Sequence, residues 1–279
     1  MPEFGWFPRK SFAPGSKFSF QNPQSITCTI EDKVSQHTRR RRVAPQSGES
    51  GFKPSSAEAT FHVRLDSNGQ IAFMRVHMQV PHPGTEYDDI EDRRLQARPC
   101  PHPEVQALMD FHNSNASMTP ALLGIKEESQ GSDGCVPGGY IVFIVFEKVP
   151  GVRLADDQSA PYPGFPLHTF FRRFDRKERD EIREQFDKAD QELARIDWLH
   201  DEPWADHLVW DSDTSKLYFI DFRKAHPACW LGRPQDVVLG ANVALATDIT
   251  PKQYNWELFG LAIRPGNSKD EGNLSKWKL

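Results

Sequence analysis

The sequence has no apolar run long enough to span a membrane. Its longest one, Tyr140–Phe146, falls far short of the roughly 20 residues that a spanning helix needs. The first residues, MPEFGWFPRK, do not combine a charged start with an apolar core, so we expect no secretory signal. These absences argue against a helical membrane protein, and no membrane partner is expected.

Cysteine is scarce, and its few copies are scattered. The chain of 279 residues has four, at Cys28, Cys100, Cys135 and Cys229. None of them forms a C-x-x-C pair, so neither a zinc ribbon nor a redox pair is supported. Scattered thiols without a secretory signal fit a reducing compartment, and we therefore expect a cytoplasmic location.

Positive charge is also limited. The net charge is −5, although residues 1–60 hold nine Lys and Arg against five Asp and Glu, which leaves −9 on the remainder. Because a general nucleic-acid binder should be basic over its main domain, nucleic acid is not expected as a partner. The run Arg39–Arg42 is compatible with a solvated segment, a nuclear-import signal or a phosphate contact, so a nuclear location stays open.

Aromatic residues, by contrast, are abundant. The chain has 19 Phe, 7 Trp and 5 Tyr, enough apolar area to exclude a fully disordered chain. Its length suits either one large domain or two lobes that share a cleft. The 22 prolines indicate that substantial parts are loops.

The first half of the chain predicts a small antiparallel sheet. Alternating β-branched residues predict strands at Ser25–Val34, Ala59–Leu65 and Ile71–Val80. Asn68-Gly69 between the last two predicts a hairpin, because this dipeptide tolerates positive φ. Residues 35–58 are rich in Arg, Ser, Gly and Pro and predict a basic loop. Apolar spacing then predicts a helix, Glu104–His112, followed by strands at Ala121–Ile125 and Tyr140–Phe146.

The second half predicts a long helix and a short hairpin. Residues Asp175–Leu199 carry one apolar stripe at helical spacing, with charges opposite, which indicates core packing. Two short strands, His207–Trp210 and Leu217–Ile220, are joined by a polar turn. We expect them to pair.

Three carboxylates flank this hairpin. Asp201 and Asp206 precede it and Asp221 follows it, so the loop and hairpin should bring them together. Mutual repulsion in such a cluster would raise their pKa values unless a cation bound there. Mg²⁺ takes oxygen ligands and is usually held by one or two carboxylates plus substrate phosphates. The third carboxylate could then accept a proton from an attacking hydroxyl.

The segment LHDEPWADHLVWDSDTSKLYFIDF resembles the catalytic and metal-binding segment of the protein-kinase-like superfamily. It is nearer to the aminoglycoside and choline phosphotransferases and to fungal-type kinase-like relatives. That pattern reads H-x-D-x-x-x-x-N, then a hairpin, an apolar run and D-F. The resemblance implies that Asp201 is the catalytic aspartate, that Asp206 stands at the metal-binding Asn position, and that Asp221 is the main metal ligand.

Upstream segments resemble the family in the same order. IAFMRVHM is similar to the strand that carries the phosphate-binding Lys, with Arg75 in its place, and EVQALMDFH is similar to the helix with the partner Glu, here Glu104. YIVFIVFEKVPGVRL resembles the strand and hinge that hold adenine through backbone groups. The implied nucleotide contacts there are the four hinge residues Phe146, Glu147, Lys148 and Val149.

The resemblance covers roughly residues 25–225 and implies an α+β, bilobal kinase-like fold. It predicts an irregular arm at 1–24, a small antiparallel-sheet N-lobe at 25–148 that includes the basic loop 35–58, and a mainly helical C-lobe at 149–279 with a catalytic-type loop at 199–222. The implied function is phosphoryl transfer from ATP, with Mg²⁺, to a hydroxyl or amine acceptor that the sequence does not identify.

The sequence departs from the family pattern at several positions. No G-x-G-x-x-G lies between the first two strands, Arg75 replaces Lys, Asp206 replaces Asn, and His200 is shifted by one position. Arg is a rigid fork whereas Lys is a compact point charge, so that exchange is not neutral. These departures leave an alternative open: a pseudokinase that serves as a nucleotide-binding or protein-interaction module, with a protein as its partner.

Overall fold

The computed structural model describes residues 5–41, 54–155, 168–200, 205–227, 256–257, 259–270 and 273–279. The chain divides into two compact units, residues 1–102 with 121–148, and residues 103–120 with 149–279. Both units combine helices with antiparallel strands, so the class is α+β, as predicted. Among the described residues, no helix is long and apolar enough to cross a membrane.

The first unit is built on one seven-stranded sheet in the order β1-β3-β4-β5-β7-β6-β2. Its elements are α1 (Arg9–Phe12), β1 (Lys17–Phe20), β2 (Asn22–Pro23), β3 (Ile26–Arg39), β4 (Ser56–Leu65), β5 (Ile71–Gln79), α2 (Ile90–Arg94), β6 (Leu122–Ser129) and β7 (Tyr140–Glu147). The predicted Asn-Gly turn joins β4 to β5. Gly69 there has a φ of 71°, and its N–H donates to the Leu65 carbonyl at 2.8 Å.

The alternation along β4 and β5 separates two faces. One face carries cross-strand apolar pairs that are at most 1% exposed: Ala59 with Val76, Phe61 with Met74, and Val63 with Ala72. Such pairs stabilise a sheet through direct side-chain packing. The opposite face carries Thr60 across from Arg75, so the polar candidate residue lies on the other side of the sheet from this core.

Two predicted irregular regions contain regular structure. Residues 1–24 include α1, β1 and β2. Strand β1 pairs with β3, and Phe7 and Phe12 pack against Phe61 on the apolar face of the sheet. The basic loop is shorter than predicted, since β3 continues to Arg39 and β4 begins at Ser56. Two register shifts within this pair, between Ile30 and Asp32 and between Lys33 and Ser35, keep the strands paired over that length. Residues 42–53 of the predicted loop lie outside the described residues.

The second unit contains the long helix and three short antiparallel pairings. Its described elements are α3 (Pro103–Asn113), β8 (Val152–Arg153), α4 (His168–Arg173), α5 (Arg176–Arg195), β9 (Trp198–Leu199), β10 (Leu208–Asp211), β11 (Lys216–Phe219) and β12 (His226–Pro227). Strand β10 pairs with both β11 and β8, and β9 pairs with β12. The long helix and the hairpin are confirmed, each within a few residues of the predicted bounds.

Helix α5 forms for reasons that are visible in its sequence. Asp175 caps it, because its side chain accepts a hydrogen bond from the Glu178 N–H at 2.8 Å. The stripe residues Ile182, Phe186 and Leu193 are each at most 2% exposed. Burying this stripe supplies most of the helix's stability, because its remaining surface is charged.

Helix α3 packs within the second unit, although residues 103–120 lie inside the predicted N-lobe range. Asp110 accepts a hydrogen bond from the Trp198 indole N–H at 3.0 Å, and the Phe111 ring lies 4.7 Å from the Phe222 ring. These contacts connect α3 to β9 and to the segment that follows β11.

Candidate functional site

The hairpin β10–β11 brings two of the predicted carboxylates to one end of a short ribbon. Leu208 pairs with Phe219, and the Ile220 N–H donates to the His207 carbonyl at 2.8 Å, which extends the ladder by one step. Asp206 lies in the short 3₁₀ turn that precedes β10, and Asp221 follows directly after Ile220. The two aspartates are therefore neighbours across the ladder end, while Asp201 lies outside the described residues.

Asp221 adopts a left-handed backbone conformation with a φ of 64°. This region is uncommon for residues other than glycine, although aspartate visits it more readily than most, and such conformations cluster at functional sites. The conformation turns the Asp221 carboxylate toward Arg223, whose backbone N–H approaches Oδ1 at 3.4 Å. Arg223 Nε also donates to Oδ1 at 2.6 Å, and a terminal guanidinium nitrogen donates to Oδ2.

This Asp221–Arg223 fork is partly removed from solvent. The side chain of Asp221 is 13% exposed and that of Arg223 is 30% exposed. A two-point contact between a guanidinium and a carboxylate is among the stronger and more specific polar interactions in proteins. His207 adds a further nitrogen, since its Nε2 lies 3.8 Å from Asp221 Oδ2.

His200 also contacts this end of the β10–β11 hairpin. Its Nε2–H donates to the Ile220 carbonyl at 2.9 Å, and its ring packs 5.3 Å from that of Phe222. Burial first, and then the neighbouring His207, lower the pKa of His200 to about 4. The ring is therefore neutral at physiological pH and acts as a hydrogen-bond donor to the backbone beside Asp221.

Asp221, the predicted main metal ligand, is already paired with a cation. Both oxygens of Asp221 already accept hydrogen bonds from the Arg223 cation. Within the described ranges, no group of three or more His, Cys, Asp or Glu side chains could hold a metal ion. Since Mg²⁺ needs oxygen ligands and dehydrates reluctantly, Asp221 as it is paired here does not fit it.

Arg75, which was predicted to stand in place of the phosphate-binding Lys, is buried within the first unit. It is 8% exposed, and its Nε donates to Thr60 Oγ1 at 3.2 Å. Glu58 Oε1 lies 3.9 Å from the same nitrogen, and the guanidinium lies 5.3 Å from the centre of the Phe146 ring. Glu104 is 3% exposed on α3, which belongs to the second unit. The predicted pairing of Arg75 with Glu104 stays a prediction.

The four predicted hinge residues run from the end of β7 into the second unit. The Glu147 N–H donates to the Ala121 carbonyl at 2.9 Å, and the Glu147 carboxylate accepts from the Ala121 N–H at 3.3 Å. The exposed Lys148 places its Nζ 5.9 Å from the centre of the Phe73 ring. Val149 is the first residue of the second unit along this stretch. The role of the four residues in holding adenine stays a prediction.

The structure adds three residues that the sequence interpretation left without a role at this position. These are His200, His207 and Arg223. Arg223 carries a usable sequence signal, because an Arg two residues after an Asp that ends a strand can fold back onto it. The two histidines give no such signal, since their contacts depend on the pairing of a hairpin that lies between them and Asp221.

The chain is similar to some solved structures at low sequence identity. No protein-family model and no curated protein matches the chain. Among solved structures, the chain is similar to the kinase PK-1 of Cydia pomonella granulovirus, with 11% identity over 61% of this chain and 48% of that one, at a TM-score of 0.35. It is also similar to the BubR1 kinase domain, with 9% identity over 78% of this chain and 52% of that one, at a TM-score of 0.39.

Both of these neighbours are kinases, and the chain spans about half the length of each. Likenesses with TM-scores this low establish neither a shared fold nor an activity.

Proposed function

We propose that this chain is a kinase-like nucleotide-binding module with impaired phosphoryl transfer, the pseudokinase alternative. The order of its elements supports the kinase-like part. A strand with a buried Arg75 is followed by a helix with a buried Glu104, and a hairpin ends in Asp221-Phe222. In this order the chain follows the family arrangement to which its segments are similar.

The Asp221–Arg223 fork is the observation that supports impaired phosphoryl transfer. Phosphoryl transfer depends on neutralising the phosphate charge, and in the kinase family metal ions held by carboxylates do most of this. Because Asp221 already has a cation on both oxygens, it is poorly prepared to hold a metal. The fork leaves phosphate binding as the function that the site supports best.

Thermal unfolding tests this proposal. A ligand that binds only the folded state stabilises it by an amount that grows with the logarithm of its excess over Kd, about 2.7 kcal/mol at a hundredfold excess. We expect ATP and ADP to raise the Tm of the full chain and ATP turnover to stay at background. The absence of any Tm rise at millimolar nucleotide, both with Mg²⁺ and with EDTA, would contradict the proposal.

A second candidate is the ATP- and magnesium-dependent phosphotransferase that the resemblance implies. The placement of Asp206 and Asp221 at one hairpin end favours it. Its test is magnesium-dependent ATP consumption across a panel of hydroxyl and amine acceptors. Any turnover found should be lost in Asp221→Ala and kept in Asp213→Ala, a change at an exposed aspartate in the polar turn of the same hairpin.

A further inference from the structure

The fork between Asp221 and Arg223 is built entirely from one short stretch of chain. The positive φ of Asp221 and the contact from the Arg223 N–H to Oδ1 set the direction of both side chains. Phe222 between them is 2% exposed and packs on Phe111 and His200, which fixes the backbone of the stretch. Because this backbone is already fixed, pairing costs Arg223 the rotamer freedom of its side chain but no further backbone freedom.

Arg223 therefore places a permanent positive charge beside the Asp221 carboxylate, which would otherwise need a cation from solution. Arg stays charged at every physiological pH, and its planar fork matches both oxygens of a carboxylate. A divalent cation at Asp221 would have to approach this guanidinium against like-charge repulsion, in a place that is partly shielded from water. His207, 3.8 Å from Oδ2, further crowds that side of the carboxylate.

We propose that Arg223 is the built-in counter-ion of Asp221 and makes the site independent of divalent metal. Nucleotide phosphates would then be bound without Mg²⁺, beside the Arg223 side chain, which is 30% exposed. The nucleotide part of this inference rests on the proposed function. The exclusion of metal rests on the Asp221–Arg223 fork alone and can be measured without any nucleotide.

The first experiment measures metal binding to the full chain with Mn²⁺ alone, followed by the loss of the free Mn²⁺ signal in electron paramagnetic resonance. We expect the wild type not to bind. Arg223→Gln should bind Mn²⁺ at least about tenfold more tightly than the wild type, because the competing positive charge of Arg223 is gone. Adding Asp221→Asn to that variant should abolish the gain.

The matched control is Arg176→Gln. It breaks an exposed pair in the same unit, in which Arg176 Nε donates to Asp180 Oδ2 at 2.9 Å, and it changes the net charge equally. It should bind no more Mn²⁺ than the wild type. Arg223→Lys keeps the charge at position 223, so it too should gain no metal site. If Arg223→Gln does not fold, which far-UV circular dichroism will show, Mn²⁺ binding by the wild type and its removal by Asp221→Asn still test the inference.

The second experiment compares the nucleotide-induced Tm shift in EDTA and in Mg²⁺. The wild type should shift equally in both, whereas Arg223→Gln should need Mg²⁺. Mn²⁺ binding by the wild type that Asp221→Asn removes would overturn the inference, as would a folded Arg223→Gln that gains no Mn²⁺. A missing nucleotide shift under both conditions would overturn the proposed function but would leave the Mn²⁺ result to stand by itself.

Discussion

His200 illustrates how burial of one residue sets its charge state. Its ring is 6% exposed and packs among the rings of His207, Phe219 and Phe222. Among the described residues, no group hydrogen-bonds its Nδ1, so the neutral form that donates through Nε2 is the one this environment accommodates. Protonation would put a charge into this apolar cluster, next to His207.

This gives a pH prediction with a definite sign. The folded pKa of about 4 lies below the ordinary value of 6.5, so the unfolded chain binds the proton first as pH falls. The contribution of neutral His200 to stability is complete above pH 6.5 and is lost as pH falls toward 4, by up to about 3 kcal/mol. His200→Gln should show a smaller loss of unfolding free energy over that window, measured by urea denaturation.

The exposed His112 provides the control, because His112→Gln should follow the wild-type pH profile. Equal slopes for wild type and His200→Gln would mean that His200 does not carry this pH dependence. The comparison between variants also removes the contribution of carboxylates, which titrate in the same range in all three proteins.

Gly151 is a second residue whose identity is set by its surroundings. Its φ is 102°, and a Cβ there would lie 2.2 Å from the Trp210 carbonyl oxygen. Gly151→Ala should therefore destabilise the chain by about 2 kcal/mol or more, from strain and from displacement of the β10 backbone. Gly266→Ala, which meets nothing within 4 Å, should stay within about 0.5 kcal/mol of wild type. Comparable losses in the two variants, measured by thermal unfolding, would refute this explanation.

At the scale of secondary-structure elements, Glu192 ties helix α5 to the loop that follows α3. Its carboxylate accepts hydrogen bonds from the backbone N–H groups of Ser117 and Met118, the latter at 2.9 Å. The Ser117 hydroxyl also donates to it, at 3.2 Å. A carboxylate that receives several N–H donors satisfies loop groups which would otherwise lack partners there.

Glu192→Ala should lower the unfolding free energy by roughly 1–3 kcal/mol, because backbone donors lose a charged acceptor. Glu181→Ala is the matched change on the same helix. Glu181 forms an i,i+4 pair with the exposed Lys177 at 3.6 Å, and its loss should cost less than about 0.5 kcal/mol. Urea denaturation measures both. A loss from Glu181→Ala as large as that from Glu192→Ala would show that the loop contacts add nothing.

The elements also show which features are readable from sequence. Helix α5 and the turn at Gly69 were predicted because periodicity and turn chemistry are local. The length of β3 was not, since its pairing to Arg39 depends on register shifts against β4. The spacing of Asp221 and Arg223 can be seen in the sequence, but their contact was missed because it requires the positive φ of Asp221, which the sequence does not reveal.

Over the whole molecule, positive and negative charge are unevenly distributed along the chain. The surplus of positive charge is confined to residues 1–60, while the remainder carries −9. Part of the basic run is also engaged. Arg40 forms an ion pair with Glu86, and Ser55 fixes the backbone of Arg41, donating to its carbonyl at 3.2 Å and accepting from its N–H at 2.9 Å. The charge balance can be counted from the sequence, whereas the contacts of Arg40 and Arg41 depend on the fold.

We therefore expect no measurable binding to a random DNA duplex at about 150 mM salt, followed by fluorescence anisotropy. Any binding at low salt should have a log–log salt slope no steeper than about −3, because few arginines of the run can reach phosphates while the rest of the chain repels them. Arg39→Gln combined with Arg41→Gln should reduce that slope further. A slope near −6 that survives these two changes would place a basic surface elsewhere on the molecule, and a nucleic-acid partner would then have to be reconsidered against the nucleotide-binding module.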